Sequence, residues 1–208
     1  MIEIEKRALL TEEQYHSLQQ KYERDGKLLR RINRISLIYV WRDDWQPSPK
    51  STDNPFDLKI KTDEVKSVIS VKREVDGEGH SRHEYELKFE PEEFPKYLEL
   101  LVMLGYDRHV MTKVSRSVFE YKGFKVSIDH QLTIGKYMIE VELMAESESE
   151  VKAKEDEIEE FLQREGLITL DNKSTVKILK QLNNLREYRL ELKGKDLYKW
   201  WDGVKKAG

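Results

Sequence analysis

The chain has 208 residues, 38% hydrophobic and 37% charged, and its 37 Lys and Arg nearly cancel 40 Asp and Glu to leave a net charge of −3. A balance this close excludes a general electrostatic grip on nucleic acid or anionic membrane, so the charges must be explained locally. The chain holds no cysteine, which excludes a disulfide framework and a thiolate metal site. Nothing resembles a signal peptide and no apolar run approaches the roughly 18 residues of a membrane span, so a soluble cytoplasmic protein is expected.

The first seven residues alternate and predict a strand. Thr11, Glu12, Glu13 and Gln14 form a capping-box pattern opening a helix with Tyr15, Leu18 and Tyr22 on one face. Residues 34–41 are rich in β-formers. Residues 42–56 carry Pro47, Pro49 and Pro55 among polar residues and predict an exposed loop. Strand-like runs follow at 56–61, 68–75 and 83–89, with Asp76 to Gly79 turning between the last two. Pro91 starts a helix with Phe94, Leu98, Leu101 and Leu104 inward, stopped at Gly105. A second β block covers about 109–144, with turns at Lys122-Gly123 and near Gly135. Ser147 to Glu150 is a second capping-box pattern for a helix reaching Gly166. A further helix is expected from Ser174 to about Glu187, with Val176, Leu179 and Leu182 inward. In the last twenty residues, Trp200 and Trp201 among lysines suggest a docked anchor more than a nucleic-acid surface.

Side chains two apart on a strand share a face. Glu3, Glu5 and Arg7 therefore oppose Ile2, Ile4 and Ala8; Lys59 and Lys61 oppose Leu58 and Ile60; Ser70 and Lys72 oppose Ile69 and Val71. Arg82, Glu84 and Glu86 share a face, as do Lys125, Ser127 and Asp129, and Glu140 with Glu142. Any half-buried sheet shows polar-out alternation. Here, however, the pattern Glu-apolar-Glu recurs on three distant strands, basic pairs sit on others, and few Thr, Ser or Gln dilute the ionic faces. Closed into a barrel with those faces inward, the strands would collect carboxylates suited to hard divalent cations and cations suited to phosphate. The five histidines, His16, His80, His83, His109 and His130, have no metal-ligand spacing. There is no P-loop and no G-x-S-x-G elbow.

These residues resemble the CYTH, or triphosphate tunnel, superfamily. Glu3 to Arg7 is similar to its opening E-x-E-x-K strand, with arginine in the lysine place. Leu58 to Lys61, Val71-Lys72 and Arg82 to Glu86 resemble its next basic, lysine-bearing and acidic strands. Leu104 to Arg116, Val126 to Asp129, Ile134 to Glu142 and Lys173-Ser174 resemble its second half in order, so the likeness covers about residues 1–182. It implies an α+β fold, a closed antiparallel β-barrel of about eight strands with helices outside. The tunnel domain would cover 1–187 and a C-terminal extension 188–208, which could plug a tunnel mouth or meet a partner. It also implies Mg²⁺ or Mn²⁺ held by Glu3, Glu5, Glu84, Glu86, Asp129, Glu140 and Glu142. Phosphates would be gripped by Arg7, Lys59, Lys61, Lys72, Arg82, Lys113, Arg116, Lys136 and Lys173, with Lys72 and Tyr39 assisting water activation. Lys113 and Arg116 cannot share a strand face without a bulge, which favours Arg116. The implied activity is hydrolysis of a triphosphate: inorganic tripolyphosphate, a nucleoside or thiamine triphosphate, or an RNA 5′ end. Class IV adenylyl cyclase activity and a triphosphate-binding module without turnover are the alternatives. No membrane or extended nucleic-acid partner is expected, and homodimer formation is left open.

Overall fold

The computed structural model describes residues 2–41, 45, 56–74 and 81–206, without the side chains of 74, 81, 82, 172, 176 and 179. The exposed loop expected at 42–56 and the turn at 76–79 lie almost wholly outside the described residues. Among the described residues, nine strands and five α-helices run in the order β1 (Ile2–Leu10), α1 (Glu12–Asp25), β2 (Lys27–Tyr39), β3 (Asp57–Thr62), β4 (Ser67–Glu74), β5 (Ser81–Phe89), α2 (Phe94–Met103), β6 (Arg108–Tyr121), β7 (Phe124–Gln131), β8 (Lys136–Ala145), α3 (Glu148–Arg164), α4 (Asn172–Asn184), β9 (Arg189–Glu191) and α5 (Leu197–Lys206).

All paired strands run antiparallel, in the order β2-β3-β4-β5-β1-β8-β7-β6-β9, and β2 also pairs with β6 from Lys27↔Glu120 to Tyr39↔His109. The expected α+β class and outer helices are therefore found. Full closure of the expected barrel is not shown: among the described residues β1 and β5 pair at Glu3↔Arg82 and Ile4↔Ser81.

Alternation decides which face is covered. Ile2, Ile4, Ala8, Val126, Ile128, Ile139 and Val141 point outward into one core with Tyr22 of α1 and Ile158, Phe161 and Leu162 of α3. Leu37, Leu58 and Ile60 meet Phe94, Leu98 and Leu101 of α2 in a second core. The capping box at Thr11 forms as expected: its hydroxyl accepts from Gln14 N at 3.1 Å, and the Gln14 side chain accepts from Thr11 N at 2.9 Å. The box at Ser147 does not form. Ser147 Oγ bonds Ser149 Oγ at 2.8 Å, and the Glu150 carboxylate takes Glu146 N instead. β2 begins seven residues earlier than position 34, because Lys27 to Asn33 is mostly exposed and lacks the alternation that marks a half-buried strand.

The C-terminal segment joins this body. β9 extends the sheet beside β6, and α5 lays Leu197 and Trp201 into the second core, where the Trp201 ring stacks on Phe94 at 4.3 Å. The anchor reading of the tryptophan pair thus holds for Trp201.

Trp201→Ala should destabilise the fold by about 3 kcal/mol, whereas Tyr198→Ala, at an exposed position of the same helix, should leave the melting temperature nearly unchanged in thermal denaturation. His109 is fully buried, its Nε2–H donating to Tyr106 O at 2.8 Å, and burial pushes its pKa down from 6.5 to about 4. Between those values the unfolded chain binds a proton that the folded chain refuses. Stability is therefore complete above pH 6.5 and drains as pH falls to about 4, by roughly 3 kcal/mol. Melting curves of wild type and His109→Gln across that window should differ in slope, the variant being flatter.

Candidate functional site

The inward faces of the strands enclose one cavity of about 250 Å³. Of the residues expected to form a site, Glu3, Glu5, Arg7, Lys59, Lys61, Lys72, Glu84, Glu86, Arg116, Asp129, Glu140 and Glu142 all line it. Period-two geometry is the reason: each lies on the face opposite its strand's core residues.

Two ionic groups meet inside. In the first, Lys72 Nζ from β4 touches Glu3 and reaches Glu5 at 3.4 Å and Glu84 at 3.6 Å. Ser70 Oγ donates to Glu84 at 2.8 Å, and Lys61 lies 3.6 Å from the same carboxylate. These contacts link β1, β4 and β5. In the second, Arg7 donates from Nε to Glu140 and from Nη2 to Glu5, both at 2.7 Å. Arg116 forks onto Asp129 with two bonds of 2.6 Å and reaches Glu140 at 3.0 Å. Such bidentate pairs are the strongest that side chains make.

Burial and pairing set the ionisation. Burial raises the pKa of Glu3, and its hydrogen bond with Glu84 adds to that. Burial acts on Glu84 too, but the bond from Glu3 and the charges of Lys72 and Lys61 hold it low. Against its own burial, Lys72 is raised by Glu5, Glu3 and Glu84 and stays protonated. Glu140 lies far below the ordinary range despite burial, because Arg116 and Arg7 flank it. Glu142 is raised by burial and by Glu140. The cations on the facing wall are poorly matched. Burial, Lys59 and Arg34 bring Lys61 down to about 8. Burial and Arg116 bring Arg34 down to about 10, and its buried Nε has no hydrogen-bond partner.

Carboxylate oxygens of Glu3, Glu5 and Glu142 lie within 4.8 Å of one another, a ligand set of hard oxygens suited to Mg²⁺ or Mn²⁺. The expected set is thus divided: these three converge, Glu140 and Asp129 are engaged by arginines, Glu84 faces Lys72 and Lys61, and Glu86 lines the cavity with 33% of its side chain exposed.

Other expectations part from the structure. Tyr39 does not reach the cavity; its ring packs edge-on against Trp41, Tyr106 and His109 on the outer face of β2. No Lys72–Tyr39 pair forms, since residues 36 and 38 occupy the inward positions there. Lys113 lies on the opposite face of β6 from Thr112, Val114 and Arg116, as its spacing warned. Lys136 starts β8 beyond the lining, and Lys173 is exposed on the first turn of α4. Arg82 is opposite Glu3 by backbone register, but its side chain lies outside the described residues. Sequence reading missed Arg30, Arg34 and Lys125 as lining residues. Lys125 was legible from its spacing to Asp129, whereas Arg30 and Arg34 belong to the part of β2 without clear alternation. Removing an unmatched buried cation should help the fold, so Arg34→Met should stabilise the ligand-free protein by about 1–2 kcal/mol in denaturant titration.

Comparisons with known proteins agree with this geometry. A family model described as CYTH domain matches residues 1–175. A solved structure from Pyrococcus horikoshii OT3 is 20% identical and superposes with a TM-score of 0.66, covering 86% of this chain and 98% of that one. A Vibrio parahaemolyticus protein described as a candidate adenylate cyclase is 12% identical with a TM-score of 0.62, covering 96% and 98%. A conserved hypothetical protein from Pyrococcus furiosus is 20% identical with a TM-score of 0.59, covering 77% and 90%. No curated protein matches the chain. At these identities the likeness concerns the fold. Among the described residues no helix is long and apolar enough to cross a membrane.

Proposed function

This chain belongs to the CYTH domain family, and from that premise we propose that it is a divalent-metal-dependent phosphohydrolase that takes a triphosphate into the cavity of its curved sheet. One observation carries the reading. A trio of carboxylates within 4.8 Å faces a wall of under-neutralised cations in the same enclosed space. Cations left short of partners at such depth are tolerable when an anionic ligand completes them.

Glu3, Glu5 and Glu142 would hold Mg²⁺ or Mn²⁺, which when bound supplies charge neutralisation and Lewis acidity toward phosphate oxygens. Arg34 and Lys61 bind phosphate oxygens from the side of β2 and β3. Arg7 and Arg116, held in place by Glu140 and Asp129, present fixed donors from the opposite side. Preorganised charge of this kind stabilises a phosphoryl transition state without reorganising during reaction. Lys72, raised against its own burial by Glu5, Glu3 and Glu84, serves in this arrangement as a charge stabiliser.

Incubation with Mg²⁺ or Mn²⁺ and separate tripolyphosphate, ATP, thiamine triphosphate and 5′-triphosphorylated RNA should release orthophosphate from at least one. Pyrophosphate with cyclic AMP would make the protein a cyclase, and tight binding without products a binding module. Glu3→Gln should lower turnover by on the order of 100-fold while leaving the melting temperature close to wild type. The reason is that glutamine keeps the size of Glu3 and an oxygen that accepts from Lys72. Unchanged turnover would remove Glu3 from the metal site.

A further inference from the structure

The last part of β5 reads Tyr85-Glu86-Leu87-Lys88-Phe89, apolar and charged residues in alternation. Tyr85 lies opposite Val71 of β4 and Leu87 opposite Ile69, so these side chains share the outer face of the sheet. Ile69, Val71 and Phe89 join the core under α2 and α5, where the Phe89 ring lies 4.2 Å from that of Tyr97. Tyr85 and Leu87 do not: they are 64% and 52% exposed. Glu86 and Lys88 share the other face, 3.5 Å apart, and are exposed as well. Successive residues exposed on both faces mark the rim of a sheet. β4 flanks β5 from Arg82 to Phe89. On the other side the pairing Glu3↔Arg82 and Ile4↔Ser81 runs antiparallel, which sets Ile2, where β1 begins, level with His83. Among the described residues no strand flanks Tyr85 to Phe89 on that side.

A strand edge presents backbone N–H and C=O groups in a row, and apolar side chains beside them make it a template for another strand. We propose that this edge pairs with the same edge of a second copy of this chain, antiparallel about a two-fold axis at Leu87, to form a homodimer. The partner follows from charge. Residues directly opposite each other in an antiparallel ladder share a face. An axis at Leu87 sets Leu87 opposite Leu87, Tyr85 opposite Phe89, and Glu86 opposite Lys88 of the second copy. An axis at Glu86 would set Glu86 against itself, and one at Lys88 would set Lys88 against itself. Like charges directly opposite are destabilising. The alternation of this segment is thus complementary to its own copy in one register, which a two-fold interface requires. Tyr85 of each copy then extends the Phe89–Tyr97 ring contact of the other. Lys88 of each copy comes beside Glu86 of the other, a residue that lines the cavity. Each cavity rim therefore receives a cation from its neighbour.

The test is sedimentation equilibrium of the full chain. A ladder this short makes a small interface, so wild type should exchange between monomer and dimer with a dissociation constant on the order of 10 μM. Glu86→Lys alone, or Lys88→Glu alone, sets like charges opposite one another on both sides of the axis and should weaken the dimer by about tenfold or more. An equimolar mixture of these two variants restores opposite charges at every such position and should associate as tightly as wild type. Leu87→Lys, at the axis, should leave a monomer. Should that variant not fold, the charge variants and their mixture carry the test, since both positions are exposed. Wild type that stays monomeric at roughly 100 μM would overturn the inference and leave the edge to some other extended partner. A dimer that ignores Leu87→Lys, or a mixture no more associated than its two components, would overturn it as well.

Discussion

Buried charge is the constraint on which this molecule depends. A carboxylate or guanidinium taken out of water costs several kcal/mol unless opposite charge and hydrogen bonds replace its hydration, and here a dozen expected site residues share one cavity. The fold accommodates them by interlocking. Glu140 is shared by Arg7 and Arg116, Glu5 by Arg7 and Lys72, and Glu84 by Lys72 and Lys61. The contacts of Lys72 also join β1, β4 and β5 through their inward side chains.

This arrangement explains why the helices and the C-terminal segment lie where they do. Turning the ionic faces inward forces the apolar faces out, and two separate cores form on the outside of the sheet, one under α1 and α3 and one under α2 and α5. Trp201 completes the second by stacking on Phe94. A sheet whose hydrophobic side is external cannot stand without such covers. The segment beyond the matched family region is thus part of the body in which the cavity sits.

Charge balance also divides labour within the cavity. Where cation and carboxylate are matched, as in Arg116 with Asp129, side chains are fixed before any ligand arrives. Where a cation is left unmatched, as at Arg34, whose buried Nε has no hydrogen-bond partner, its burial is not offset. Proteins commonly trade stability for function in this way.

Much of this was written in the order of residues. A period of two with charge on one face placed Glu3, Glu5, Arg7, Lys59, Lys61, Lys72, Glu140 and Glu142 on one side of their strands, and the helix signals at Thr11, Pro91 and Gly105 were local chemistry. The pattern could not say which cation meets which acid, because pairing depends on strand order and register between distant segments, such as Arg7 and Glu140, 133 positions apart. Nor could it place Tyr39, whose strand offers apolar residues on both faces, so that only packing against Trp41, Tyr106 and His109 turned it outward. The burial of Arg34 and the placement of α4 against the cavity likewise arise from contacts among distant elements. Sequence alone fixed the character of each strand face through local periodicity. Tertiary structure alone decided which faces enclose a common space, because enclosure follows from how distant strands and helices meet.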